Sequence, residues 1–443
     1  MSSLPLHPYQ TQAIQHILTH PRCAIFASMG AGKTRICLEA LSQLDDCFPV
    51  LIVAPLRVAK HVWPAEVQKW TPYFTIQTIK GTPEQRKEAL LSTAQIYTIN
   101  FENIAWLNNT LLGSKFKTII VDESSKLRGF RLRGGTKSTQ ALKQLDNAIR
   151  FIELTGTPAP QGIIDLYGQL FFLDKGERLG KTWQAFTSRF FSSVLMPGGY
   201  TKLTPYKNAF NLATAKIKDI TLTIDVKDYI DTSTPVKSEI EVTLPPLAFK
   251  KYKELEKEMV SVIKNTEITA VTIAAASNKC LQMTAGFVYD EDKNPIDVHQ
   301  AKLEALDDIL EEWAHRPVIV VYWFKESLVK LTSRYAQGHI LNDNIDDWNQ
   351  GKIPLLFIHP QSAGHGLNLA EGGHVMVFYD VNWNLELHQQ VIERIGPVRQ
   401  AQAGFDRPVH LYYLLAKDTI DYRVMQVLEG KATVQNALLD ELK

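Results

Sequence analysis

Short apolar runs alternate with amphipathic stretches along the whole chain. In the first half, CAIFA (23–27), VLIVA (50–54), IYTIN (96–100), TIIVD (118–122) and FIELT (151–155) are rich in β-branched residues and end at turns or polar residues. That is the pattern of buried strands. Residues 34–43 and 64–70, between them, carry the three-to-four-residue spacing of helices. In the second half, PVIVVYW (317–323), GHIL (338–341), PLLFIH (354–359), HVMVFYD (374–380) and VHLYYLL (409–415) read as strands, and 301–313 as a helix. Strands alternating with helices predict parallel sheets covered on both faces, here two α/β lobes. From 171 to 239 the signals weaken. Pro197, Gly198, Gly199, Pro205 and DTSTP (231–235) predict loops and a linker, and 247–263 a helix opening the second half. The expected division is 1–230 and 231–443, with no internal repeat or low-complexity tract.

Length and composition agree with this picture. The chain has 443 residues, enough for two domains at roughly 100–200 residues each. A net charge of +1 excludes binding nucleic acid by bulk charge but leaves room for a local basic cleft. Cys23, Cys37, Cys47 and Cys280 form no C-x-x-C pair, so neither a zinc cluster nor a disulfide framework is expected. No stretch approaches the ~20 apolar residues of a membrane helix, and the N-terminus lacks the charged start and apolar run of a signal peptide.

The chemistry concentrates in two places. ASMGAGKT (27–34) follows a predicted strand and precedes a predicted helix, the setting a phosphate-binding loop needs. Gly30 and Gly32 let the backbone wrap phosphate oxygens, with Ala31 between them. The N–H groups and helix N-terminus then face the anion. Lys33 is placed to reach the β- and γ-phosphates of ATP, and the Thr34 hydroxyl to ligate Mg²⁺. Ala27 stands where the first glycine is usual. The second place is TIIVDES (118–124). Asp122 is expected to hold Mg²⁺ and Glu123 to orient and deprotonate the attacking water. Gln10, in LHPYQ, offers a bidentate partner for adenine.

Taken in order, these segments resemble the superfamily 2 helicases, and among them the SNF2-like ATPases. PYQ (8–10) is similar to the adenine-reading motif and SMGAGKT to motif I. LIVAPLRVAKHVWPAEVQKW (51–70) resembles motif Ia, VDESS (121–125) motif II and LTGTPAP (154–160) motif III. VIVVYWFKESL resembles motif IV, the stretch 346–384 motif V with its flanks, and HQQVIERIGPVRQ (388–400) motif VI. The compact layout is similar to members encoded by bacteriophages.

The resemblance implies two tandem RecA-like P-loop lobes with ATP in a cleft between them. It implies Gly366 and Asn368 near the ribose and a motif VI arginine on the γ-phosphate. The family usually carries two such arginines three residues apart. Here Arg394 is present, Pro397 stands where the second is expected, and Arg399 follows two residues on. Nucleic-acid contacts carried over by resemblance are Arg57, Thr155, Thr157, Lys325, Ser327 and Ser362. They would touch phosphates, giving little sequence preference and strong salt dependence. The paired-arginine element often found before the second lobe is missing from 215–229.

The basic, glycine-containing stretch 126–137 reads equally as a phosphate-gripping loop or a solvated one. Trp313, Trp323, Trp348 and Trp383 read as packing residues, and His359, His365 and His374 as structural. The expected function is a DNA-stimulated ATPase that translocates on duplex DNA, as a monomer, in the cytoplasm or a phage's host cytoplasm. The alternatives are a strand-separating DNA or RNA helicase and an ATP-gated clamp with little turnover.

Overall fold

The computed structural model describes residues 5–110, 115–131, 134–145, 147–195, 201–229, 232–265, 270–314, 316–342, 344–362 and 367–442. Contacts divide the chain into two compact units. Unit 1 takes Met1–Val194, Leu203–Tyr229 and Lys431–Lys443, and unit 2 takes Leu195–Lys202 and Ile230–Gly430.

The strands are β1 (Arg22–Ala27), β2 (Val50–Ala54), β3 (Ile76–Thr78), β4 (Ile96–Asn100), β5 (Thr118–Asp122), β6 (Arg150–Thr155), β7 (Phe191–Leu195), β8 (Thr201–Pro205) and β9 (Thr221–Ile224). They continue as β10 (Val236–Val242), β11 (Phe287–Tyr289), β12 (Pro295–Asp297), β13 (Val318–Val321), β14 (Gly338–Ile340), β15 (Leu355–Ile358), β16 (Val375–Phe378) and β17 (His410–Ala416).

Unit 1 is built on a seven-stranded sheet in the order β3-β4-β2-β5-β6-β1-β9. Every pair is parallel. All five residues of β2 and of β4 are buried. Helices covering both faces explain why these strands read as continuous apolar runs. In such sheets ligands gather beyond the carboxyl ends of the strands. Here the order brings the ends of β2, β5, β6 and β1 side by side, and with them the loops that carry the predicted chemistry.

Unit 2 holds a six-stranded sheet, β10-β17-β16-β13-β15-β14, again parallel throughout. Its helix Ala301–Glu312 is tied to the start of the helix Ile420–Leu442 by a buried ion pair, Lys302 to Asp421 at 2.7 Å. Trp348 is fully buried beneath Gly372, where a Cβ would come within 2.3 Å of its indole nitrogen. Among the described residues no helix is long and apolar enough to cross a membrane.

Residues 171–239 hold more order than their sequence predicts. They contain the helices Trp183–Phe190 and Ala209–Ile217, the β7–β8 pair, β9 and the start of β10. The glycines at 198 and 199, with Pro197, lie outside the described residues. Residues 232–235 carry no helix or strand, but before them the chain returns to the first sheet. β9 pairs with β1, Ala24 opposite Thr221 and Ala27 opposite Ile224.

Candidate nucleotide site

The turn after β1 is glycine-dependent at two positions. Gly30 and Gly32 have φ of 82° and 76°, in the left-handed region that favours glycine. Gly32 then caps the helix Lys33–Leu41. A Cβ on Gly32 would also stand 2.6 Å from the Gln10 amide nitrogen. That amide nitrogen donates to the carbonyl of Ala31 at 3.2 Å, and the amide oxygen accepts the His7 N–H at 3.0 Å. Gln10 therefore buttresses the loop from beneath. A primary amide keeps a second donor and a second lone pair, so adenine recognition remains within its capacity. The Lys33 ammonium donates to the carbonyls of Ala27 and Ser28 at 2.8 and 3.3 Å. These are neutral acceptors, weaker than a phosphate oxygen. Thr34, half-buried, opens the helix beside it.

The acidic pair lies at the end of β5, separated from β1 by β6 alone. Asp122 accepts a hydrogen bond from the Trp63 indole N–H at 2.9 Å. Burial, and then the neighbouring Glu123 charge, push its carboxyl up to about 6 against the opposing pull of Lys33 and Trp63. Glu123 is buried and sits at φ 68°, ψ 57°, an uncommon backbone state for a residue with a side chain. One oxygen of its carboxylate accepts from Ser125 Oγ at 3.0 Å and Thr155 Oγ1 at 3.2 Å. The N–H of Thr157 donates to the same Thr155 hydroxyl at 3.0 Å. Ser124 donates to Gln169, whose amide holds the carbonyls of Pro158 and Asp165. The loops after β5 and β6 thus share one hydrogen-bonded frame that aims Glu123.

Thr34 and Asp122 fit a magnesium ion. Both offer hard oxygen donors, and the crowded Asp122 carboxyl gains most from a nearby cation. Among the described residues no three His, Cys, Asp or Glu groups converge as a metal cage. Magnesium on a nucleotide needs none, since water and phosphates complete its shell.

The remaining expected residues are placed less uniformly. Arg57 is half-buried at the start of a π-helical turn, Val58–Val62. Thr155 and Thr157 are buried, and the Thr155 hydroxyl is spent on Glu123 rather than facing outward for phosphate. In unit 2, Lys325 is exposed at the start of the helix Lys325–Arg334. Ser327 faces inward against Asp380, which also accepts the backbone N–H groups of Trp323 and Phe324. Its hydroxyl is therefore not on a phosphate-facing surface. Ser362 is exposed and donates to the carbonyl of His359. Asn368 is half-buried, its side-chain oxygen accepting the Ala370 N–H, while Gly366 lies outside the described residues.

The two motif VI arginines differ sharply. Arg394 is 2% exposed and donates to the carbonyls of Gln390 and Leu367 at 3.0 and 3.2 Å. Its own carbonyl receives the Leu369 N–H. It braces residues 367–369 against the helix Leu385–Ile392. Arg399, on the short helix Pro397–Gln402, is the more open of the two.

The basic stretch after motif II is folded where it is described. Ser124–Gly129 forms a 3₁₀ turn, and the Arg131 guanidinium lies 3.4 Å over the Trp183 ring. Residues 132–133 lie outside the described residues. His359 packs against Trp323, and His374 Nδ1 lies 2.9 Å from the Pro408 carbonyl, both as structural histidines, while His365 lies outside the described residues. Sequence reasoning missed Trp63, Ser125 and Gln169 as parts of the site. The W-x-x-E spacing at 63–66 was the available signal for the first.

The chain is similar to several known proteins. Protein p41 of Acyrthosiphon pisum secondary endosymbiont phage 1 is 42% identical over the full length of both chains. The human DNA annealing helicase and endonuclease ZRANB3 is 25% identical over 99% of this chain, which spans only 41% of that protein. A solved Sulfolobus solfataricus SWI2/SNF2 ATPase core in complex with dsDNA aligns over 99% of this chain and 93% of its own, at 19% identity and a TM-score of 0.46. The SNF2-related domain matches residues 9–285. With the P-loop, the acid pair and the parallel sheets in place, the chain belongs to the SNF2-related family.

Proposed function

We propose that this chain is an ATP-hydrolysing motor that translocates on, or remodels, double-stranded DNA, acting as a monomer in the cytoplasm, that of the host if it is encoded by a phage. The observation that carries the reading is the fixing of Glu123. A carboxylate held by two hydroxyls at the end of β5, one strand away from the P-loop strand, is placed to act as a base on one water.

In this reading the loop N–H groups from Gly30 to Thr34 cradle the phosphates and Lys33 neutralises charge on the γ-phosphate. Gln10 addresses the adenine. Thr34 and Asp122 would hold Mg²⁺, which when bound would supply electrostatic stabilisation of the phosphoryl oxygens. Glu123 takes a proton from the attacking water. Asn368 lies near the ribose, and Arg399 serves as the arginine that stabilises the departing charge. Arg394 acts on it indirectly, by bracing the 367–369 segment. Arg57, Lys325 and Ser362 touch DNA phosphates, so binding is indifferent to sequence and weakens steeply with salt. The similarity to the DNA annealing helicase and endonuclease ZRANB3 supports DNA as the track.

The test is ATP turnover against duplex DNA, single strands and RNA, for the wild type and Glu123→Gln. Duplex DNA is expected to stimulate the wild type most, and the variant to bind ATP without turnover. Strongest stimulation by forks with strand release would favour a helicase. A wild type no faster than Glu123→Gln with DNA present would replace the motor with a clamp.

A further inference from the structure

The π-helical turn at Val58–Val62 sits between two functions of unit 1. Outward it shows Leu56, Lys60 and His61, all exposed, with Arg57 half-buried at its start. Inward it ends on Trp63, which is fully buried and donates its indole N–H to Asp122. The Trp63 backbone N–H donates to the carbonyl of Val58, five residues back. That bond defines the wider turn and winds in one extra residue. Each residue of an ordinary helix turns about 100°, so the extra one decides which way the indole points.

The turn is pinned from the other side as well. Thr98, on β4, donates to the Ala59 carbonyl at 2.7 Å. β4 and β5 are the two neighbours of β2, whose exit leads into the turn. Further along the helix Trp63–Trp70, the Trp70 ring carries the Arg35 guanidinium 4.0 Å above it. Arg35 belongs to the helix that begins with Lys33. One rigid element is therefore fastened both to the acid pair and to the P-loop helix.

We propose that Trp63 is a positioning residue: it sets the Asp122 carboxylate according to the state of the 58–62 turn, and so relays DNA contact on that turn to the magnesium–nucleotide site. This rests on the motor reading above. A push on Lys60 or Arg57 shifts a turn whose inner end is the Asp122 hydrogen-bond donor.

The test compares the full-length wild type with Trp63→Phe, which keeps an aromatic ring and loses the donor, and with Thr98→Val. Turnover is measured with and without saturating duplex DNA. Mg²⁺-dependent binding of a fluorescent ATP analogue is a second readout. Losing a hydrogen bond to a charged group corresponds to about a tenfold effect or more. In Trp63→Phe the DNA-stimulated kcat is expected to fall by that amount. The Mg²⁺ needed for half-maximal analogue binding should rise severalfold, and the apparent KM for DNA should stay within about twofold. Thr98→Val, which frees the Ala59 carbonyl without touching Asp122, should lower stimulation and leave the Mg²⁺ requirement unchanged. Full stimulation in both variants overturns the relay and leaves the motor intact. A wild type without DNA-stimulated turnover overturns the motor itself. Should Trp63→Phe fail to fold, deletion of the exposed His61 removes the extra residue and rotates Trp63 away. Full stimulation in that deletion overturns the relay equally.

Discussion

Asp122 makes the nucleotide-free protein pay for its magnesium site, and Asp122→Asn measures how much. An ordinary aspartate titrates near 3.8, while burial and Glu123 hold this one at about 6. Between those values the folded state keeps a proton that the unfolded chain has lost, so stability falls as pH rises through that window and stays lowered above it. A difference of about 2 pKa units, at about 1.36 kcal/mol each, sets the loss at about 3 kcal/mol at neutral pH. Asparagine is never charged, and its side-chain oxygen can still accept the Trp63 N–H. The variant should therefore be the more stable protein at pH 7.5. Its melting transition for unit 1 is expected about 6–12 °C higher, at about 2–4 °C per kcal/mol for a body of this size. The advantage should shrink as pH drops below 6 and be gone near 4. With Mg²⁺ and ATP the order should reverse, because a cation offsets the crowded charge only in the wild type. Differential scanning fluorimetry across this pH range, with and without Mg–ATP, reads all of this. A variant that melts no higher than the wild type at pH 7.5 refutes the argument.

Two further substitutions probe the site. Gly32→Ala forces a side chain into a left-handed turn at about 1–2 kcal/mol and drives a Cβ into the Gln10 amide. ATP-analogue affinity should fall at least about tenfold, and binding within twofold of the wild type would contradict this. Arg399→Ala should leave the melting curve in place while turnover drops about a thousandfold. Arg394→Ala, which strips two backbone carbonyls of a buried charged donor, should destabilise unit 2 by about 2–4 kcal/mol in urea melts. The opposite pattern, with Arg394→Ala stable but inactive, would exchange their roles.

The buried strands were readable because they are buried on both faces. VLIVA, IYTIN and TIIVD coincide residue for residue with β2, β4 and β5. β3 and β9, of three and four residues, lie at the sheet edges, and their short alternations carry no contrast against a loop. β10 is mostly exposed and polar, VKSEIEV, and is a strand only because β17 lies beside it. The phosphate loop was evident from glycine spacing, because its geometry is local. What surrounds it was not. Thr155 meets Glu123 across 32 residues and Trp63 meets Asp122 across 59. Nothing along the chain distinguishes a hydroxyl that turns inward from one that faces a phosphate. The same limit hid the hydrogen bond from Arg394 to the Leu367 carbonyl, 27 residues away.

The return of the chain to β9 has a practical side. Ser28, the second residue of the phosphate loop, donates its N–H to the Ile224 carbonyl, and its hydroxyl accepts the N–H of Val226. A fragment stopped at the apparent end of the first motif series, near residue 190, would strip β1 of its outer neighbour and leave the loop's leading edge unsupported. Anyone wishing to study the nucleotide half alone must carry the polypeptide at least as far as Tyr229, through a stretch that looks dispensable on paper.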